Sequence, residues 1–212
     1  MREFVFMQKN EELNIGNVES NESVVLSLEL EQKVKVLREY IRGLGSLAVG
    51  FSGGVDSTFL LEIAHQELGD KALAITSVDA VVPEREIREA EKFCKSRGIK
   101  QLICHVDSLK EEGFRHNSSE RCYFCKKGIF SDIIKIAKEN GIEYVAEGSN
   151  MDDLGDYRPG LRAASELFVK CPLREAKLYK SEIREVSKAL GLPTWNKPAY
   201  ACLASRFVYG EE

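Results

Sequence analysis

The sequence predicts an α/β fold, a parallel twisted sheet flanked by helices. Three observations carry this. Short apolar runs alternate along the chain with longer stretches of helical periodicity, which implies parallel strands covered on both faces. The first apolar run, Leu47 to Phe51, breaks at Gly53-Gly54 and resumes as a helical pattern at Phe59-Leu60-Leu61. The composition, 43% hydrophobic and 30% charged, is that of a globular domain.

Residues 1–28 are polar and acidic and read as a disordered extension, leaving 29–212 as one domain. Leu30, Val34, Leu37, Ile41 and Leu44 recur at spacings of four and three, one helix stripe that Gly43 and Gly45 end. Strand one is predicted over 46–51 and its helix over 57–68, capped by Asp56 or Ser57 and stopped by Gly69. Residues 71–77 read as strand two. Pro83 opens a helix with Ile87, Ala90, Phe93 and Arg97 on one side and Gly98 as its stop. Residues 101–106 read as strand three, 126–140 as a helix carrying Ile129 and Ile133, and 143–147 as strand four. A turn-rich loop follows, 148–160. A last helix carries Tyr179, Ile183, Val186 and Leu190 on one face, and its charges read as packing and oligomer contacts.

The formal net charge of −4 argues against a generally basic nucleic-acid binder. No apolar stretch has the length of a membrane span, and the start lacks a signal-peptide pattern, so a cytoplasmic location is expected. Six cysteines in such a chain suggest thiols or metal ligands rather than a disulfide framework.

Residues 49–58, Val-Gly-Phe-Ser-Gly-Gly-Val-Asp-Ser-Thr, form the centre of the prediction. A strand, a glycine turn and a helix start present backbone N–H groups to a phosphate. Glycines at 53 and 54 let the main chain approach an anion closely. An acid at this place, Asp56, calls for a bridging cation such as Mg²⁺. No Gly-Lys-Ser/Thr ending follows, which excludes a Walker loop. The stretch resembles the SGGxDS signature of the PP-loop ATP pyrophosphatases, of the adenine nucleotide alpha hydrolase-like fold. That resemblance implies ATP bound over Ser52, Gly53, Gly54, Asp56 and Ser57, with the adenine edge near Thr76 and Ser77, and cleavage between the α- and β-phosphates.

Cys122-Tyr-Phe-Cys125 lies ahead of the predicted 126–140 helix. Its spacing suits a zinc site, a redox pair or two unrelated thiols. A structural zinc site wants four protein ligands, and neither a second CxxC nor a closely spaced histidine pair is present. Cys202 is the best third ligand, since its loop should return to the same edge of the sheet. Cys94, Cys104 and Cys171 read as packing. Three thiolates suit a 4Fe–4S cluster with one open iron, and ligand count and softness favour it over zinc.

Several further segments are similar to the LarE-type sulfur transferases of that superfamily: Asp156-Tyr-Arg-Pro-Gly160, Leu190-Gly-Leu-Pro193 and Ser205-Arg-Phe-Val-Tyr-Gly210. The CxxC pair resembles the three-cysteine, iron–sulfur-cluster branch. The resemblance implies Asp153 as a second Mg²⁺ ligand, and Arg158, Ser205 and Arg206 as contacts for a substrate phosphate. It implies Lys126 as a cation offsetting charge in the adenylation step, and an extra sulfide carried by the cluster on Cys122, Cys125 and Cys202. The implied substrate is pyridinium-3,5-biscarboxylic acid mononucleotide, in the biosynthesis of the nickel-pincer cofactor of lactate racemase, with a sulfide donor and a homo-oligomer as partners. The family continues past the position matching Glu212, so a C-terminal subdomain is expected to be truncated or absent. The alternatives are a tRNA thiolation enzyme, an NAD or GMP synthetase-like amidating ligase, and a non-enzymatic nucleotide or metal sensor.

Overall fold

The computed structural model describes residues 26–155, 159–199 and 202–210. Helix α1 (Leu28–Leu44) starts where the Ser27 hydroxyl accepts from the Leu30 N–H at 3.2 Å, and stops at Gly45, whose φ of 73° few other residues adopt. It is followed by β1 (Leu47–Gly50), α2 (Val55–Leu68), β2 (Ala72–Val78), α3 (Glu84–Arg97) and β3 (Gln101–His105). A short helix, α4 (Glu112–Arg115), precedes α5 (Arg121–Glu139) and β4 (Tyr144–Ala146). The remainder holds α6 (Pro159–Glu166), α7 (Pro172–Glu175) and α8 (Lys180–Ala189).

The four strands are all parallel, in the order β3-β2-β1-β4. Leu47 stands beside Ala72 and Tyr144, and Val49 beside Ala74 and Ala146. Beyond β4, Lys170 makes a parallel bridge to Ala146 and carries the pairing one chain further. The chain runs outward from β1 through β2 to β3, then crosses to β4 on the other side of β1. The gap between the carboxyl ends of β1 and β4 is therefore the topological switch point, where open α/β sheets bind ligands.

Alternation along β1 sends Leu47 and Val49 to one face and Ala48 to the other. The first face packs against α1, α2, α3 and α8 through Leu37, Ile41, Phe59, Leu60, Phe93 and Ile183. The second packs against α5 through Phe130, Ile133 and Ala137. Burial decides the docking of α1. Leu37 and Ile41 are fully buried and contribute about 1.5–3 kcal/mol each. The ion pair of the exposed Arg42 with Glu67 lies at the surface and contributes about 0–1 kcal/mol. Cys94 and Cys104 are buried as expected of packing thiols, and burial pushes Cys94 up to about 12. Among the described residues, no helix is long and apolar enough to cross a membrane.

Candidate active site

The expected phosphate loop occupies residues 52–54. Phe51 still pairs with the sheet, its N–H donating to the Ile75 carbonyl at 2.9 Å. Gly53 then turns the chain at φ 71°, and a Cβ there would lie 3.3 Å from Ala90 Cβ. The expected side-chain cap on α2 is absent. The helix starts at Val55, with Gly54 as a cap that uses no side chain, so Asp56 and Ser57 fall inside its first turn. The free N–H groups of that turn remain directed at the switch point, the geometry that takes an anion. The Ser57 hydroxyl reaches the Gly54 carbonyl at 3.3 Å and Ser52 Oγ at 3.2 Å.

The loop after β4 closes on this turn. A Cβ on Gly148 would lie 2.9 Å from the Ser57 nitrogen. Asn150 Nδ2 donates to Asp56 Oδ1 at 3.3 Å, and the buried Asp153 accepts from the Asn150 N–H at 2.8 Å. Asp153 thus shapes the turn that aims Asn150. Lys180 Nζ donates to Asp56 Oδ2, and the Lys180 N–H donates to Asp152 at 2.7 Å. Asp56 therefore already holds a cationic group, and its carboxylate is the hard oxygen donor that Mg²⁺ takes. The charges of 180–184, expected to serve packing and oligomer contacts, include Lys180, which instead enters the site. The signal available was its place at the first position of a helix, where a positive charge opposes the macrodipole and needs a partner.

Lys126 pairs with the buried Glu147 at 2.5 Å, and Ser149 Oγ donates to the other oxygen of that carboxylate at 2.7 Å. Glu147, expected as the last residue of strand four, lies just past β4 and serves the site instead. The Lys126 stem lies against Gly160, where a Cβ would come within 2.7 Å. Cys171 is buried beside Glu147, and burial pushes its thiol up to about 11.

Cys122 and Cys125 do not precede a helix. They lie inside the first turns of α5, which begins at Arg121. The apolar stripe that marks this helix starts only at Ile129, because its first turns face the site rather than the core. A closed ring of contacts brings Cys202 to the pair. The Leu203 N–H donates to the Val81 carbonyl at 3.0 Å. Two residues before Val81, the buried Asp79 accepts from the Ser108 N–H at 3.1 Å and from its hydroxyl. Ser108 Oγ lies 3.8 Å from Cys125 Sγ. Back across α5, the buried Arg121 donates to the Ala204 carbonyl at 2.7 Å and to Asn117. Asn117 holds the following segment through the Val208 carbonyl at 2.7 Å.

Burial pushes the Cys125 thiol up to about 11, opposed by the Ser108 hydroxyl and reinforced by the charges of Cys202, Asp79 and Cys122. Cys122 and Cys202 are exposed. Among the described residues no three Cys, His, Asp or Glu side chains stand together as a formed ion-ligand group. Cys125 is half-buried, and as a set of three soft thiol donors Cys122, Cys125 and Cys202 are of the chemistry that an iron–sulfur cluster takes. Arg121, one residue before the CxxC pair, carries no spacing signal that marks it in the sequence.

Thr76 is buried and accepts from Gln101 Nε2 at 2.8 Å, while Ser77 is half-buried at the carboxyl end of β2. Ser205 and Arg206 are exposed in the turn after Cys202, and the Ser205 hydroxyl donates to the Cys202 carbonyl at 2.7 Å. Arg158 lies outside the described residues.

The NAD synthase family model matches residues 29–133. The uncharacterized protein slr1717 of Synechocystis sp. is 40% identical over 183 residues, 86% of this chain and 68% of its own length. The pyridinium-3,5-bisthiocarboxylic acid mononucleotide synthase of Lactiplantibacillus plantarum is 34% identical over 182 residues, 85% of this chain and 66% of its own length. The chain thus spans about two thirds of these relatives. Among solved structures, the NH3-dependent NAD synthetase from Campylobacter jejuni is similar at a TM-score of 0.64 and 18% identity, over 82% of this chain and 80% of that one. At that identity the likeness shows the fold.

Proposed function

Because this chain belongs to the NAD synthase-like PP-loop ATP pyrophosphatase superfamily, we propose that it is an ATP-dependent sulfur transferase acting on a carboxylate. The observation that carries this reading is the ring from Cys202 through Val81, Asp79 and Ser108 to Cys125, closed by Arg121 and Ala204. It ties the segment that carries Cys202 to the start of α5, which carries Cys122 and Cys125. The substrate class follows the Lactiplantibacillus plantarum relative, whose name specifies a pyridinium bisthiocarboxylic acid mononucleotide as product.

In the first step a substrate carboxylate oxygen attacks the α-phosphorus of ATP. The bond to the bridging oxygen breaks and pyrophosphate leaves. The free N–H groups at the start of α2 and the hydroxyls of Ser52 and Ser57 hold the phosphates. Asp56 would hold Mg²⁺, with Asp153 shaping the loop beside it, and the adenine would lie by Thr76 and Ser77. With Mg²⁺ on Asp56, Lys180 would be left to pair with a phosphate oxygen. Lys126, kept in place by Glu147, adds a further positive charge. In the second step sulfide attacks the acyl carbon, the carbon–oxygen bond to AMP breaks, and a thiocarboxylate remains. The oxidation state of carbon is unchanged and the proton of hydrosulfide is released. Cys122, Cys125 and Cys202 would hold a 4Fe–4S cluster, which when bound supplies the sulfide. Ser205, Arg206 and Arg158 are proposed for the substrate phosphate, which suits arginine's planar fork. A homo-oligomer, an external sulfide donor and a cytoplasmic setting belong to the same proposal.

The test is anaerobic purification with iron, zinc and labile-sulfide analysis. Incubation with Mg-ATP and pyridinium-3,5-biscarboxylic acid mononucleotide follows, with pyrophosphate and thiolated product measured. A brown protein forming both products is the expected result. A colourless zinc protein would replace the cluster reading. Amide formation with ammonia would replace sulfur transfer by ligase chemistry.

A further inference from the structure

The segment between α8 and Cys202 carries a lysine that no step above uses. Lys197 Nζ donates to the Gly53 carbonyl at 3.1 Å and pairs with Glu86 at 2.6 Å and Glu89 at 2.8 Å. Its side chain is only 11% exposed. Burial works against its charge, but the two glutamates outweigh this and hold the ammonium above its ordinary value. In return Lys197, helped by Arg85, lowers Glu89 to about 2.

The contact to Gly53 sets this lysine apart from an ordinary ion pair. Gly53 is the residue at φ 71° that turns the phosphate loop. In a trans peptide unit the carbonyl of Gly53 and the N–H of Gly54 point in opposite directions. A cation on the carbonyl fixes the plane of that unit, and so fixes the direction of the Gly54 N–H. The same segment continues to Leu203, which is tied to Val81 beside the thiols. One end of this stretch therefore grips the phosphate loop and the other the sulfur site.

We propose that Lys197 is a positioning residue that holds the Gly53–Gly54 peptide in its phosphate-binding orientation and registers the Cys202 segment against the phosphate loop. The inference rests on the nucleotide-binding reading above. A hydrogen bond to a charged group is worth enough to change affinity by about 10-fold or more.

The experiment measures binding of Mg-AMPCPP by calorimetry to the full chain, alongside circular dichroism and thermal melting. Lys197→Met loses both the glutamate pairs and the Gly53 contact, and should bind at least ~10-fold more weakly. The double variant Glu86→Gln, Glu89→Gln removes the ion pairs but keeps the Gly53 contact, and should bind within about 3-fold of the parent. A merely structural lysine would give equal losses in the two, or no loss in Lys197→Met, and either result overturns the proposal. Should Lys197→Met fail to fold, Lys197→Arg replaces it. That variant keeps its charge against the glutamates but cannot set a single compact donor on Gly53 while doing so. Parent-like affinity in Lys197→Arg overturns the proposal, and weakened affinity at unchanged melting temperature supports it. A parent protein that does not bind Mg-AMPCPP overturns the nucleotide reading, and this inference with it.

Discussion

Lys180 Nζ rests on the carboxylate of Asp56, although 124 residues separate them in sequence. The pair explains how an acid can stand at the mouth of an anion site. Its side chains are 32% and 21% exposed, so solvent screens the attraction, and Lys180→Met should change stability by no more than about 1 kcal/mol. Its effect on chemistry should be larger. Removing one preorganised charge from a site that stabilises a phosphoryl transition state costs about 100-fold in rate. Pyrophosphate release measured at saturating Mg-ATP checks this. A rate within a few-fold of the parent's would reduce Lys180 to a surface ion pair.

Gly148 predicts a steric effect at the same contact. A Cβ would stand 2.9 Å from the Ser57 nitrogen and 3.1 Å from the Asp56 carbonyl carbon. Both are main-chain atoms and cannot swing aside. Gly148→Ala should therefore push the β4 loop off the start of α2, at a cost of about 1–3 kcal/mol. Chemical denaturation gives the cost, and weaker binding of Mg-AMPCPP should accompany it. Gly43, by contrast, has open space around its Cβ position. Gly43→Ala in an exposed helix should gain up to about 1 kcal/mol and leave binding unchanged.

Much of this architecture was legible in the sequence because it depends on local pattern. The α1 stripe, the strand–glycine–helix unit and the stop at Gly98 each follow from periodicity and backbone freedom within one segment. The site was legible only in part. Ser52–Ser57 and the CxxC pair announce themselves by spacing. Lys180, Lys197, Glu147 and Arg121 do not, since each gains its role from a partner that only the fold supplies. The start of α5 was misread for a related reason. Residues facing a site carry no apolar stripe, so the periodicity that marks a helix fades where function begins.

Arg121 should prove to be the residue that keeps the thiols together. It is 5% exposed, and its guanidinium joins α5 to the Cys202 segment through the Ala204 carbonyl. Arg121→Met should cost about 1.5–3 kcal/mol, the range for a hydrogen bond to a charged group. The sharper readout is local. Limited proteolysis should cut after Arg206 far faster than in the parent, while the sheet stays folded by circular dichroism. Metal and sulfide content should fall in step, even though all three cysteines remain. Full content in a protein cut this readily would show that Cys202 is not a ligand.

The thiols themselves should be alkylated in a fixed order. Cys125 is raised from its ordinary value near 9 to about 11, chiefly by burial. Cys122 and Cys202 are exposed. In metal-free protein, iodoacetamide should modify these two first, since the reagent reaches them directly. Cys125 should lag until the pH approaches about 11. Because its folded pKa lies above the unfolded one, its stabilising contribution is complete below pH 9 and disappears as the pH rises through 11. Loading with iron and sulfide requires the same thiol to lose its proton. Incorporation should therefore rise with pH across the neutral to mildly alkaline range, more steeply in the parent than in Cys125→Ser. Peptide mass spectrometry reports the order of alkylation, and Cys125 reacting as fast as Cys122 at neutral pH would show that the Asp79–Ser108 wall does not shield it.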